Sequence, residues 1–252
     1  MYKLGVLGKG ISYSLSPLIQ KEFARQFDIK IDYQIYDIKE DPLSFVKDFF
    51  INEGFGLNVT KPYKEIFAET LIGSPASINC IYAKGTKGAS TDGNGLISDL
   101  HSKKIDYKNM DVLVYGLGGA SKSILNSLIS CKNIYVANRT EEKTTEILDE
   151  NNSLKRYNGE SLDLVISCAQ TLDLNTSKYF EHLTLTKGSI LYDINYSNQT
   201  NMIFSDLSIV DKTNLYNGTG MLVEQAALSF NFWHEKSPRT DSVINLIRET
   251  SD

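Results

Sequence analysis

Three side chains in the first hundred residues are the candidates for moving a proton. Lys61 and Lys64 lie in the run Asn58-Val59-Thr60-Lys61-Pro62-Tyr63-Lys64, and Asp92 lies in Thr91-Asp92-Gly93. A lysine and an aspartate meeting in one cleft form a proton-transfer pair. The carboxylate holds the ammonium, and the pair passes a proton to or from an alcohol oxygen while hydride leaves the carbon. Lys64 with Asp92 is one such pairing and Lys61 with Asp92 the other; spacing does not separate them. Around them, Ser12-Tyr13-Ser14-Leu15-Ser16-Pro17, Asn58 and Thr60 add hydroxyls and an amide. That mixture matches a small polyol or hydroxy acid. Each element also has a plainer reading, since serines before a helix are commonly caps and Asp-Gly is commonly a turn.

A second constellation could hold a dinucleotide. The apolar run Asp111–Tyr115 leads directly into Gly116-Leu117-Gly118-Gly119-Ala120-Ser121, and a helical pattern follows. Glycine at the turn permits the tight bend and lets the backbone approach a pyrophosphate, and the helix that follows aims its amide end at the phosphates. An NAD site places a carboxylate at the end of the next strand to hold the ribose hydroxyls. Here that strand, Asn133–Ala137, ends in Asn138-Arg139-Thr140, with Lys143 one helical turn later. A guanidinium fork, a hydroxyl and an ammonium suit a 2′-phosphate, so the expected cofactor is NADP.

These residues need a scaffold, and strand and helix patterns alternate from the first residue, predicting an α/β fold with parallel sheets. Strands are expected at Lys3–Leu7, Tyr33–Tyr36, Phe55–Val59, Asp111–Tyr115, Asn133–Ala137, Leu164–Ser167 and Ile190–Asp193. Helices are expected from Pro17 to Phe27 with Ser16 as N-cap, at Leu43–Phe50 with Asp41 as N-cap, and at Gly95–His101 after the Thr91-Asp92-Gly93 turn. Others follow at Ser121–Ser130, Glu141–Glu150, from Gly220 through Phe232, and at Asp241–Arg248. The polar, basic stretch Ser102–Asn109 reads as a crossing between two domains.

The chain has 252 residues, 41% of them hydrophobic and 23% charged, with 26 Lys plus Arg against 31 Asp plus Glu and a net charge of −5. That length predicts two domains or one large α/β unit. The negative balance, without a basic stripe, disfavours nucleic acid. No apolar run reaches membrane-spanning length, and the glycine-broken start does not fit a signal peptide. Cys80, Cys131 and Cys168 form no C-x-x-C pair, which predicts reduced thiols and a cytoplasmic protein. His101, His182 and His234 have no metal-ligand spacing.

Taken in order along nearly the whole chain, these motifs resemble the shikimate dehydrogenase family. The resemblance rests on Ser14-Leu15-Ser16-Pro17, on Asn58-Val59-Thr60 with Pro62 and Lys64, on Thr91-Asp92-Gly93 and on Gly116 to Ser121. It continues through Asn138-Arg139-Thr140, through Tyr192-Asp193 with Tyr196, and from Gly218 through Gly220-Met221-Leu222 to Gln225. It implies a reductase of 3-dehydroshikimate that uses NADPH and no metal, acts on a small molecule, and is a monomer or homodimer. It also implies a substrate-binding catalytic domain of residues 1–97 plus 219–252 and a Rossmann-like NADP-binding domain of residues 98–218.

By the same resemblance Lys64 is the general acid/base, paired with Asp92. Ser14 and Ser16, helped by Tyr196, bind the substrate carboxylate; Asn58, Thr60, Asn79, Asp92 and Gln225 hold ring hydroxyls. Gly116, Leu117, Gly118, Gly119 and Ala120 cradle the pyrophosphate. Asn138, Arg139, Thr140 and Lys143 bind the adenosine 2′-phosphate, and Ile194 and Gly218 border the nicotinamide. The chain departs from the family pattern at Ser90, at Asn217-Gly218, at Ser167-Cys168-Ala169, at Ser77-Ile78-Asn79-Cys80 and in a shortened Glu65–Ile78 segment. Two rival functions are an NAD-linked quinate/shikimate dehydrogenase, against which Arg139 argues, and a silent metabolite sensor, against which Lys64 and Asp92 argue.

Overall fold

The computed structural model describes residues 1–39, 41–71, 77–169, 174–196 and 210–251. It is α/β and carries two sheets. The first has the strand order β2-β1-β3-β4-β5, with β1 at Tyr2–Gly8, β2 at Ile31–Asp37, β3 at Gly54–Val59, β4 at Cys80–Tyr82 and β5 at Lys87–Ala89. The second has the order β11-β10-β9-β6-β7-β8. These are β6 Asp111–Tyr115, β7 Asn133–Ala137, β8 Lys155–Arg156, β9 Ser161–Ser167, β10 Thr184–Asp193 and β11 Leu215–Asn217.

The second sheet is parallel throughout, as the alternation predicts. Its strand order runs one way from β6 through β7 to β8 and the other way from β6 through β9 to β11. The reversal lies between β6 and β9, and a doubly wound sheet binds its ligand at such a point. The first sheet departs from the all-parallel expectation. Strands β1, β2 and β3 are parallel, but β4 and β5 pair antiparallel as a hairpin. Its turn holds Ala83 and Lys84 at positive φ of 51° and 57°. Tight hairpins require that backbone, and glycine or asparagine usually marks it. The connection Ala83-Lys84-Gly85-Thr86 has its glycine only third, at φ 82°, and strands of three residues are too short to show an alternation, so pattern reading passes over them.

Among the described residues there are nine α-helices: α1 Ser16–Gln26, α2 Pro42–Ile51, α3 Lys64–Thr70, α4 Asp92–Ser102, α5 Gly119–Ser127, α6 Glu141–Glu150, α7 Leu174–Glu181, α8 Thr219–His234 and α9 Asp241–Ser251. Asp41 caps α2 as expected, its carboxylate accepting from the N–H groups of Leu43 and Ser44. The cap expected of Ser16 is a correction. Ser16 is inside α1, and it is the Ser14 hydroxyl that accepts the Ser16 N–H at 3.3 Å. Helix α4 begins at Asp92, three residues before the expected start, so Asp92 and Gly93 form its first turn rather than a preceding loop. Helix α5 stops at Ser127 instead of Ser130.

Each sheet buries both faces. On the first, Leu7, Leu57 and Val59 meet Phe49 of α2 and Phe67 of α3. Opposite them, Leu4, Val6 and Tyr33 meet Trp233 of α8. Phe23 of α1, Phe230 of α8 and Ile247 of α9 extend that side. On the second sheet, Val112, Val114, Leu164 and Ile166 pack on Leu96 and Leu100 of α4 and Ile124 of α5, while Leu113, Val165 and Leu191 pack on Phe180 of α7. Full burial of one such side chain is worth about 1.5–3 kcal/mol.

Helix α8 packs on both sheets and α4 on the second, and the two helices cross at close range. A Cβ on Gly95 would stand 2.7 Å from the Gln225 Cβ, and one on Gly220 would overlap the Asp99 carboxylate. Small residues let the two backbones approach, which brings Asp92 and Gln225 to one place. Trp233 is 5% exposed and donates its indole N–H to the Ile81 carbonyl at 3.1 Å, fastening α8 to the first sheet.

Candidate active site

A cavity of about 620 Å³ opens between the two sheets, at the C-terminal ends of their parallel strands. Lys64 enters from the N-terminus of α3 and Asp92 from the N-terminus of α4. The Lys64 Nζ donates to Asp92 Oδ2 at 2.6 Å, with 17% and 6% of the two side chains exposed. Lys61 also lines the cavity, but the carboxylate is joined to Lys64, which decides the ambiguity left by spacing. The second carboxylate oxygen is held by Asn79, whose Nδ2 lies 3.0 Å from Asp92 Oδ1, 2.8 Å from Thr91 Oγ1 and 2.9 Å from Gln225 Oε1. Asn79 Oδ1 accepts the Thr91 N–H at 2.8 Å, and the Thr91 hydroxyl donates to the Gln225 carbonyl. An ammonium held by a fixed carboxylate beside a solvent-reached cavity can give a proton and be reloaded.

The residues expected at the substrate all border this cavity: Ser14, Ser16, Asn58, Thr60, Asn79, Tyr196 and Gln225. Ser14 and Ser16 hydroxyls are 3.2 Å apart at the start of α1. Asn58 is 7% exposed and largely engaged, its Oδ1 accepting from the Tyr33 hydroxyl at 2.8 Å and its Nδ2 donating to the Asn79 carbonyl and the Ser229 hydroxyl. Asn58 and Asn79 therefore brace the site as well as line it. Tyr196 closes one side, and burial, with the nearby Tyr13 phenol, pushes its hydroxyl pKa up to about 12.

On the opposite wall stand Gly118, Gly119 and Ala120 at the N-terminus of α5. Gly116 makes the turn at φ 93°, and a Cβ there would come within 2.8 Å of the Ala169 nitrogen. Gly118 faces open space, with no atom within 4 Å of where a Cβ would be. A side chain at that position would fill the space in front of the helix amides, so the turn is an open cradle of the kind a pyrophosphate needs. Leu117 donates its N–H to Asn138 Oδ1 at 3.0 Å, and Asn138 Nδ2 donates to the Thr140 carbonyl. The Asn138 side chain thus splints the glycine turn to the end of β7. Lys143 reaches the cavity; Asn138, Arg139 and Thr140 lie outside its lining, at the exposed end of β7. Ile194 borders the cavity, and Gly218 backs it, since a Cβ on Gly218 would overlap the Ile194 carbonyl.

The geometry adds residues that sequence reading passed over. Thr91 ties Asn79 to Gln225, yet in the sequence it is only the neighbour of an aspartate. Cys168, which the sequence marks only as a departure from the family pattern, lines the cavity. Burial foremost, then the Asp193 and Asp92 charges, raises its thiol pKa, so it stays protonated. Asn195, beside the noted Tyr192-Asp193, lines the cavity too.

A family model described as the shikimate dehydrogenase substrate binding domain matches residues 6–75, and one described as the shikimate 5′-dehydrogenase C-terminal domain matches residues 218–248. A protein of Ruthia magnifica named shikimate dehydrogenase (NADP(+)) is 32% identical over 268 residues, covering 98% of this chain and 100% of its own. The chain belongs to the shikimate dehydrogenase family. A Legionella pneumophila protein of the same name is likewise 32% identical, covering 98% of each chain. Among solved structures, shikimate dehydrogenase from Aquifex aeolicus superposes with a TM-score of 0.84 at 21% identity, covering 98% of this chain and 97% of that one. The Thermus thermophilus enzyme, solved with NADP(H) and shikimate, gives 0.84 at 21% identity over 99% of both chains. The resemblance read from the motifs and the α/β expectation therefore hold. The two segments matched by the shikimate dehydrogenase family models carry Lys64 and Gln225, which meet at the site from opposite ends of the chain.

Proposed function

We propose that this protein reduces 3-dehydroshikimate to shikimate with NADPH, reversibly, with Lys64 as the general acid and Asp92 as its partner. The observation that carries the reading is the 2.6 Å Lys64–Asp92 contact in a cavity whose other wall is a glycine-rich dinucleotide turn. Relatives over 30% identical across nearly the full chain bear the name shikimate dehydrogenase (NADP(+)).

The residues present fit a dinucleotide. Gly118 leaves the cradle open, the α5 amides face it, and Lys143 supplies positive charge. Gly116 through Ala120 would hold the pyrophosphate, and Arg139, Thr140 and Lys143 the 2′-phosphate, with Asn138 fixing the turn they share. NADPH, when bound, supplies the hydride. Lys64 gives its proton to the carbonyl oxygen that becomes the hydroxyl and recovers one in the reverse direction. Asp92 keeps that ammonium aimed and, through Asn79, stays fixed itself. Ser14, Ser16 and Tyr196 orient the substrate carboxylate, while Asn58, Thr60 and Gln225 meet ring hydroxyls. On this reading residues 1–97 and 219–252 serve the substrate and 98–218 the cofactor.

Among the described residues no helix is long and apolar enough to cross a membrane, and the three cysteines are free. Free thiols suit a reducing compartment, and we assign the enzyme to the cytoplasm, as a monomer or homodimer. Spectrophotometric NADP reduction with shikimate tests the function. Lys64→Ala should bind both ligands while turnover falls about 10²–10⁴-fold. Wild-type protein that binds both and turns over neither would make it a sensor.

A further inference from the structure

The dinucleotide turn lies at the C-terminal end of β6, where the strand order reverses. A cofactor laid across that point has its adenosine half over β7, toward Lys143, and its nicotinamide half over β9 and β10. The ends of those two strands carry an unusual arrangement. Asp193 closes β10 and Ser167 closes β9; they are partners in the parallel register. Both are sealed, with Asp193 1% and Ser167 0% exposed. Among the described residues the Ser167 hydroxyl and Asp193 Oδ2 have no hydrogen-bond partner. A buried carboxylate with a bare oxygen is costly and calls for an explanation.

Its other oxygen supplies one. Asp193 Oδ1 accepts from the Asn195 backbone N–H at 3.0 Å and from Asn195 Nδ2 at 2.8 Å. The same Nδ2 donates to the Ala169 carbonyl at 2.7 Å, just past the end of β9. Asn195 in turn accepts the Gly218 N–H on its carbonyl at 2.8 Å, and Ile194 donates its N–H to the Ser167 carbonyl at 3.0 Å. Asn195 therefore clasps three chain segments, 167–169, 193–196 and 217–218, and four of their residues, Cys168, Ile194, Asn195 and Tyr196, line the cavity. Asp193 is not in the cavity. It acts on it through Asn195.

We propose that Asp193 is a positioning residue for the nicotinamide half of the cofactor site, setting that wall by orienting the Asn195 side chain. This rests on the dinucleotide reading above. Its effect should fall on the cofactor far more than on the substrate, because Ser14, Asn58 and Lys64 hang from the other sheet and Tyr196 is the one assigned substrate residue on this wall. Asparagine at position 193 can present its own carbonyl oxygen to both Asn195 donors, whereas alanine cannot.

The test measures NADPH binding by fluorescence and steady-state KM for NADP and shikimate in wild type, Asp193→Ala, Asp193→Asn and Asn195→Ala. Asp193→Ala and Asn195→Ala should raise the NADP KM and the NADPH Kd by about tenfold or more, a loss typical of misplaced binding groups, with the shikimate KM within about twofold. Asp193→Asn should restore NADP binding to near wild type. Should Asp193→Ala fail to fold, Asn195→Ala, which keeps the buried acid, carries the same expected split. The proposal is overturned by equal rises in both KM values, by unchanged NADP affinity in folded variants, or by Asp193→Asn as weak as Asp193→Ala. Wild-type protein that does not bind NADPH would instead overturn the functional reading beneath it.

Discussion

Asn79 donates to Asp92 on the carboxylate oxygen that Lys64 leaves free, at 3.0 Å. The acid is thereby gripped from both sides, and the amide that grips it is itself 3% exposed and bonded to Thr91. Proton transfer depends on direction as much as on distance, and this grip removes the rotation that would let Asp92 swing off Lys64.

Asn79→Ala should show it. Removing the amide leaves the Thr91 N–H and Asp92 Oδ1 without their partner, costing about 1–3 kcal/mol in folding stability. Turnover should drop about tenfold or more while NADPH affinity is kept. Denaturant titration and steady-state kinetics read the two effects; unchanged turnover would reduce Asn79 to a packing residue.

The α4–α8 crossing gives a second prediction. Gly220→Ala sets a methyl against the Asp99 carboxylate, which also accepts the Tyr192 hydroxyl at 2.6 Å and pairs with Lys103. Overpacking there should destabilise the protein by about 1–3 kcal/mol or more. It should also part Asp92 from Gln225, so a thermal melt and the shikimate KM should move together.

Cofactor choice is testable at the end of β7. Arg139→Ala and Lys143→Ala each delete a charge proposed to meet the 2′-phosphate. Each should weaken NADP by about 10–100-fold, from about 1.5–3 kcal/mol per charged hydrogen bond, with NAD little changed. Equal losses for both dinucleotides would place the 2′-phosphate elsewhere.

Two buried groups predict opposed pH dependences of stability. His234 lies among Tyr2, Phe55 and Phe230, and burial lowers its pKa to about 4 from 6.5. The unfolded chain gains a proton below pH 6.5 that the folded chain refuses until about pH 4, so stability is lost as pH falls through that window. The full shift corresponds to about 3 kcal/mol, and solvent around a half-buried ring cuts it to about 1–2 kcal/mol. Burial raises Asp193 to about 6 from 3.8. There the folded chain keeps a proton that the unfolded one releases, so stability falls as pH rises from 3.8 to 6. Chemical denaturation from about pH 4 to about pH 7 should find His234→Phe less acid-sensitive than wild type and Asp193→Asn less sensitive in the other direction. Parallel profiles would mean that neither group titrates this way.

The long elements were legible because periodicity and punctuation agreed. Asp41-Pro42 opens α2 as a cap and first turn should, and Gly116 through Ser121 lies between a strand and a helix as expected. The short ones were not. Strands β4 and β5 are three residues each, and α3 begins on Lys64 without a side-chain cap to announce it. Ser16 precedes Pro17 as an N-cap would, yet Ser14 makes the bond, since which hydroxyl faces the N–H depends on the path of the loop.

The sequence by itself determined the residue types: an ammonium, a carboxylate, a glycine turn and an arginine where a carboxylate would have favoured NAD. Those follow from local chemistry and from motif order. Only the tertiary structure decided partnership. Lys64 rather than Lys61 meets Asp92, Asn79 fixes that acid, and Asn138, expected at the 2′-phosphate, turns inward to splint the glycine turn. Hydrogen bonds between residues far apart in the chain depend on where each sheet ends and how closely two glycine-faced helices cross, and no local pattern encodes that distance.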